Sequence, residues 1–129
     1  MQLNPDCIRD VLLTVEDMCN GRVQYFYDGN EALIELIEGS EHLQNYTGDE
    51  VDYHFIQVIN AGYLVGAEQL QKGFCFMDLS PSGHEFLNNV RDNTVWNSVK
   101  EKVKPIGTVS LSIIGQLGAT IAKSLLGLE

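Results

Sequence analysis

Three polar residues recur along one face of the third predicted helix, where a recognition domain carries the side chains that read its partner. Tyr53, Gln57 and Asn60 stand at positions i, i+4 and i+7, so a helix places them side by side. A glutamine or asparagine amide can form two hydrogen bonds with adenine, and the same groups also serve in protein contacts. The spacing therefore predicts a recognition surface and leaves the class of partner open.

The charge around these residues argues against DNA as the partner. Residues 46–66 contain Asp49, Glu50 and Asp52 and no lysine or arginine. Carboxylates are repelled by the phosphate backbone, which supplies most of the affinity of nonspecific DNA binding. We therefore expect a protein partner, and DNA binding is the alternative.

Two further groups of residues are candidates for binding. Leu70 and Lys72 lie near the tip of a predicted β-hairpin, where they can contact a protein partner. The C-terminal part carries a basic cluster that either touches a phosphate backbone or forms salt bridges within the chain. Its members are Arg91, Lys100, Lys102 and Lys104.

Motifs of catalysis and metal binding are missing from the sequence. The histidines have no neighbours at the spacing of an acid–base or metal-ligand motif, and no Cys-x-x-Cys pair occurs. Glycine-rich phosphate loops and nucleophile elbows are also missing. We therefore expect a non-enzymatic protein without a cofactor or a metal.

The composition indicates one acidic globular domain. Eight lysines and arginines stand against eighteen aspartates and glutamates, so the 129-residue chain carries a net charge of −10, which disfavours nucleic acid and anionic lipid as partners. The three cysteines are an odd number without paired spacing, and no secretory signal is recognisable at the N-terminus. These features predict a cytoplasmic location and no association with a membrane.

The first half of the chain predicts three helices and a strand. A helix over residues 5–19 is capped by Asn4, and a strand covers residues 21–27. We expect Asn30 to cap a second helix, with Leu33, Ile34 and Ile37 buried. A third helix begins at the Thr-x-x-Glu capping box of residues 47–50 and ends before Gly62.

The second half predicts a hairpin followed by helices. Strands over 63–67 and 74–79 are separated by a loop over 68–73, and Ser80-Pro81 starts a helix. Apolar spacing continues through a further segment that ends before Pro105. This order of elements predicts an α+β fold, a winged helix-turn-helix with a β-hairpin wing and additional C-terminal helices.

The sequence predicts a C-terminal helix over residues 105–129, set apart from an acidic body of residues 1–104. Residues 105–122 carry no charge, and glycine and alanine recur at a spacing that lets helices approach closely. We expect this helix to pack on the body or on a second subunit of a homodimer. The residues of the predicted seam are Leu111, Ile114, Gly118, Ile121 and Leu125.

The sequence also resembles a family of uncharacterised bacterial and phage proteins. The resemblance is carried by Gly-His-Glu-Phe-Leu at residues 83–87 and by Arg-Asp-Asn-Thr-Val-Trp at residues 91–96. It extends to Glu-Val-Asp-Tyr-His-Phe at 50–55 and to the opening Asn-Pro-Asp-Cys-Ile-Arg at 4–9. The resemblance implies a winged-helix-like fold and a setting in prophages and Gram-positive genomes, and it implies no activity.

We therefore expect a small phage-type winged-helix protein that acts by binding another protein, in a regulatory role or against a host factor. The first alternative is a dimeric transcriptional regulator that reads DNA with the third helix. The second is an acidic mimic of nucleic acid that inhibits a host defence enzyme.

Overall fold

The computed structural model describes residues 1–107 and 109–127 and has an α+β fold. Thr108 and residues 128–129, which belong to the predicted C-terminal helix segment 105–129, lie outside the described residues. The elements are α1 (Pro5–Met18), β1 (Tyr25–Asp28), α2 (Asn30–Glu38), α3 (Gly48–Asn60), β2 (Leu64–Val65), β3 (Glu68–Leu70), β4 (Gly73–Phe76), β5 (Asp78–Leu79), α4 (Pro81–Val90), α5 (Asn93–Val103) and α6 (Leu111–Leu126).

Side-chain caps fix where several of these helices begin. The Asn4 side chain accepts a hydrogen bond from the N–H of Asp6 at 3.0 Å. Thr47 and Glu50 form both halves of the predicted capping box, with distances of 3.0 and 3.2 Å. Each cap satisfies backbone donors that a helix leaves free at its N-terminus. The predicted starts of α1 and α3 are therefore confirmed.

Helix α2 is rotated relative to the prediction. Gly29, with φ at 91°, is the N-cap, so the expected cap at Asn30 is wrong. Ile34 is 51% exposed, and Leu36 takes its place in the core. Leu33 and Ile37 are compatible with a buried stripe that contains either Ile34 or Leu36. Periodicity alone therefore does not decide which face of the helix is buried.

The wing is a longer hairpin than the sequence predicts. Strands β1, β4 and β3 form one antiparallel sheet in that order, and β2 pairs with β5 nearer the body. The predicted loop over 68–73 is wrong, because residues 68–70 pair with β4 and only Gln71 and Lys72 form the turn. Glu68 and Gln69 have little intrinsic preference for strands, so pairing with buried β4 decides their conformation.

The centre of the core lies between α3 and the sheet. Phe55 of α3 stacks on Phe74 and Phe76 of β4, with ring centroids 4.4 and 5.3 Å apart. All three rings are fully buried. This packing fixes the position of α3 relative to the wing.

Helix α6 packs on α4 and α5 of the same chain. Ile114 is fully buried, and Gly118 sits so close to α4 that a Cβ would lie 2.7 Å from the carbonyl oxygen of Asn89. Within the described ranges, no helix combines the length and the hydropathy needed to cross a membrane.

Candidate functional site

Two grooves flank the exposed side of α3. One lies between α3 and the wing, and we call it the wing cleft; the other lies between α3 and the N-terminal residues, and we call it the N-terminal groove. Consecutive positions on α3 divide between them: Asp52 and Ile56 face the wing cleft, whereas Tyr53 and Gln57 face the N-terminal groove. The candidate surface is therefore a ridge with a groove on each side.

The N-terminal groove contains all three residues that helical spacing grouped together. Tyr53, Gln57 and Asn60 form one wall, and the groove has a volume of about 600 Å³. Residues 1–3 and 109–111 form the opposite side. Leu111, predicted to lie in an oligomer seam, thus lies beside the predicted recognition residues.

The wing cleft contains both predicted wing residues and measures about 510 Å³. Leu70 and Lys72 of the wing line the same cleft as Asp49 and Asp52 of α3. The rest of the lining is mixed and includes apolar side chains at Tyr27, Leu33 and Ile56 and polar ones at Asn30, Gln69 and Gln71. The cleft therefore combines two carboxylates with a lining that is partly apolar and partly polar.

The two carboxylates of the wing cleft are neighbours in an unfavourable setting. Asp49 and Asp52 stand three residues apart on α3, a spacing that places their side chains on one face. Partial burial and the negative charge of Asp49 raise the pKa of Asp52 above its ordinary value. The folded chain therefore disfavours the charged form of Asp52.

Two members of the predicted basic cluster form ion pairs with the acidic body. The Arg91 guanidinium donates to both carboxylate oxygens of Glu16, at 2.8 and 2.6 Å, and lowers the pKa of Glu16. Lys100 lies 3.1 Å from the Asp6 carboxylate. Lys102 and Lys104 are exposed and form no ion pair in the part of the chain that the structure describes.

The predicted seam of α6 divides between the interior and the surface. Ile114 and Gly118 are buried against the chain's own helices, and Leu111 and Ile121 are partly buried. Leu125 is 59% exposed at the end of the helix. The buried positions thus make contacts within one chain.

Among residues 1–107 and 109–127, one cluster has side chains suited to a metal ion. His42 Nε2 lies 2.8 Å from an Asp17 carboxylate oxygen and 3.8 Å from that of Glu41. Both carboxylates are exposed, and the Asp17 contact is an ordinary surface hydrogen bond. Sequence spacing does not bring Asp17 and His42 together, because β1, α2 and their connecting loops separate them.

Buried polar groups elsewhere in the body have structural partners. The Tyr46 hydroxyl donates to Asp10 at 2.6 Å, and burial raises the pKa of both groups. The Thr14 hydroxyl contacts the backbone of Asp10 and the Ser40 hydroxyl, both at 2.8 Å. These bonds hold α1 against the segment that links α2 to α3.

The wing cleft as a whole is not evident from sequence. The carboxylates of Asp49 and Asp52 are visible as a local charge, but their apolar surroundings come from distant elements such as α2 and β4. A sequence signal was available in the spacing of Asp49, Asp52 and Ile56, which helical geometry places on one face.

The order of helices and strands, the wing and the ridge of α3 define a winged-helix-like α+β protein with three added C-terminal helices. Residues 2–110 match the family described as "Hypothetical protein (DUF2513)", and the chain belongs to that family. The match ends where α6 begins.

The chain is also similar to a curated protein of Haemophilus influenzae (strain ATCC 51907 / DSM 11121 / KW20 / Rd), described as "Uncharacterized protein". The two are 28% identical over 130 residues, which cover 98% of this chain and 99% of the relative. No solved structure gives a significant match.

Proposed function

We propose that this chain is a non-enzymatic protein that recognises another protein through the ridge of α3 and the grooves beside it. The recognition residues are Tyr53, Gln57 and Asn60 in the N-terminal groove and Leu70 and Lys72 in the wing cleft. The resemblance noted in the sequence supports a phage or prophage setting. Buried free thiols at Cys7 and Cys75 support a reducing, cytoplasmic compartment.

The observation that carries this proposal is the sign of the charge on the recognition surface. A winged helix that reads DNA inserts its third helix into the major groove and needs cations at the flanking phosphates. Here the wing cleft presents Asp49 and Asp52, and Lys72 is the one cation among the described residues that line it. Arg91 and Lys100 already have carboxylate partners.

Site-specific photo-cross-linking tests the proposal in the cell that encodes the chain. A photoreactive p-benzoylphenylalanine replaces Gln57 or Leu70 in the full chain, and the same residue at Ser124, exposed near the end of α6, is the control. We expect discrete protein adducts at the two ridge positions and none at the control. Adducts at all three positions alike, or at none, contradict the proposal.

Binding of the purified chain to random duplex DNA at low salt distinguishes the alternative. We expect no binding in fluorescence anisotropy. Nanomolar affinity that falls steeply with added salt would instead assign the ridge to DNA, and the amides of Gln57 and Asn60 would then be the residues that read bases.

A further inference from the structure

We propose that the wing cleft binds a lysine or arginine side chain of the partner protein, with its cation against Asp49 and Asp52 and its aliphatic stem along the apolar lining. This inference rests on the proposed function, since it names the chemistry of the segment that the ridge recognises. It concerns the wing cleft alone and leaves the N-terminal groove aside.

The first argument is that both carboxylates lack a counter-ion. Neither Asp49 nor Asp52 forms a salt bridge or a side-chain hydrogen bond with any residue that the structure describes. Lys72 lines the same cleft and forms no ion pair within the described ranges. The cleft therefore keeps net negative charge for an incoming cation.

The second argument is the shape and polarity of the rest of the cleft. Tyr27, Ile56 and Leu70, which are all partly exposed, line the same space as the carboxylates. A lysine or arginine side chain has an apolar stem and a charged head, so it can cover apolar surface and place its charge at Asp49 and Asp52. A hydrated metal ion would leave that apolar surface uncovered.

The third argument is the unfavourable electrostatic setting of Asp52. Burial and repulsion by Asp49 disfavour the charged form of Asp52, as its raised pKa indicates. A cation seated between the two carboxylates relieves the repulsion and favours ionisation of Asp52. Binding should therefore release protons and weaken as the solution is acidified. The titratable or charged groups around the cleft are Asp49, Asp52, Lys72 and Tyr27.

The experiment selects peptides from a random display library on the full chain and measures the affinity of those selected. Wild type is compared with Asp49→Asn/Asp52→Asn and with the matched control Glu38→Gln/Glu101→Gln. The control removes the same charge at exposed positions outside the cleft. Urea unfolding of all three proteins checks that they are folded.

We expect the wild type and the control to select peptides with a recurrent lysine or arginine. Their affinity should fall at least about tenfold in the cleft variant, because a charge pair lost from an interface weakens binding strongly. Replacing that residue by norleucine in the peptide should cause a similar loss. Leu70→Ala, which keeps both carboxylates, should reduce affinity while preserving the preference for a cation.

Selected peptides without a recurrent cation, or with equal affinity for the cleft variant and the wild type, overturn the inference. Selected peptides that bind only when a divalent metal ion is added to the buffer also overturn it. If photo-cross-linking still gives protein adducts at the ridge, the proposed function is retained even though the inference about the wing cleft fails. Absence of adducts at the ridge removes the proposed function itself.

Discussion

The backbone N–H of Asn4 donates a 2.8 Å hydrogen bond to Nε2 of His54, which is fully buried and lies fifty residues further along the chain. The other ring nitrogen, Nδ1, lies 2.7 Å from the carbonyl oxygen of Glu50. Because Nε2 accepts, the proton must be on Nδ1, and the ring is neutral. His54 thus links the start of α1 to α3 only in its uncharged form.

The stability of the protein should decrease on acidification because of His54. Burial lowers the pKa of His54 below its ordinary value. As the pH falls, His54 is therefore protonated in the unfolded state before it is protonated in the folded state. Its contribution to the free energy of unfolding is complete above about pH 6.5 and is lost as the pH falls towards the lower pKa of the folded state. Urea unfolding at pH 7.5 and 5.5 measures the loss.

The variant His54→Gln separates this effect from that of other titrating groups. We expect it to be destabilised by about 2–4 kcal/mol at pH 7.5, since two buried hydrogen bonds and the ring packing are disturbed. Its stability should also change less between pH 7.5 and 5.5 than that of the wild type. An identical pH dependence in both proteins would contradict the role of His54.

The parts of the fold that could be predicted from sequence are those decided locally. The caps at Asn4 and Thr47 act within three residues, and both are observed. Helical spacing also predicts a buried stripe on α3, of which Val51, Phe55 and Val58 are buried and Ile59 is partly buried. The errors at Ile34 and in the loop over 68–73 concern segments whose conformation depends on packing against distant elements.

The candidate site was also predictable only where local spacing along one helix determines it. Tyr53, Gln57 and Asn60 were grouped by spacing along one helix, which local geometry determines. The wing cleft combines residues from β1, α2, α3 and the wing, and sequence gives no direct measure of the distances between them. The charge of α3 is readable in sequence, whereas the apolar lining beside it is not.

Close packing of α6 on α4 should make Gly118 intolerant of a side chain. In Gly118→Ala the new Cβ would lie 2.7 Å from the Asn89 carbonyl oxygen and 2.9 Å from Val90 Cγ1. We expect a loss of about 1–3 kcal/mol in the free energy of unfolding, measured with urea. The clash should outweigh the better helix propensity of alanine.

The matched control is Gly115→Ala on the same helix. Its Cβ would approach the edge of the Phe86 ring at 3.1 Å, and a ring can shift more readily than backbone. The gain of about 1 kcal/mol in helix propensity offsets that contact. Equal stability losses in the two variants would show that α6 does not dock through Gly118.

The junction between the wing and α4 should be equally sensitive at Gly83, within the segment that carries the family resemblance. A Cβ at Gly83 would collide with the Tyr63 carbonyl oxygen, which also accepts the Ser80 N–H at 2.9 Å. We expect Gly83→Ala to lose about 3 kcal/mol in urea unfolding. Ser82→Ala, at an exposed neighbouring position, should stay within about 0.5 kcal/mol of the wild type.

Removal of the Asp52 charge should stabilise the isolated protein at neutral pH. The raised pKa of Asp52 means that the folded state disfavours its carboxylate, so its charge lowers stability above the ordinary pKa near 3.9. We therefore expect a higher urea midpoint for Asp52→Asn than for wild type at pH 7, and a smaller difference at pH 4.5. Glu101→Gln, at an exposed position on α5, should change the midpoint little. A lower midpoint for Asp52→Asn at pH 7 would contradict the unfavourable setting of this carboxylate.

The attachment of the wing to the sheet bears on how quickly and how tightly a ligand can associate. Pairing of β1 with β4 continues to Asp28 and Gly73, and the Gly29 N–H donates to the Lys72 carbonyl at the turn, at 2.9 Å. The wing side of the neighbouring cleft is thus preorganised, so association should lose little conformational entropy there and need little rearrangement. Differences in affinity among ligands of this cleft should therefore lie mainly in their dissociation rates.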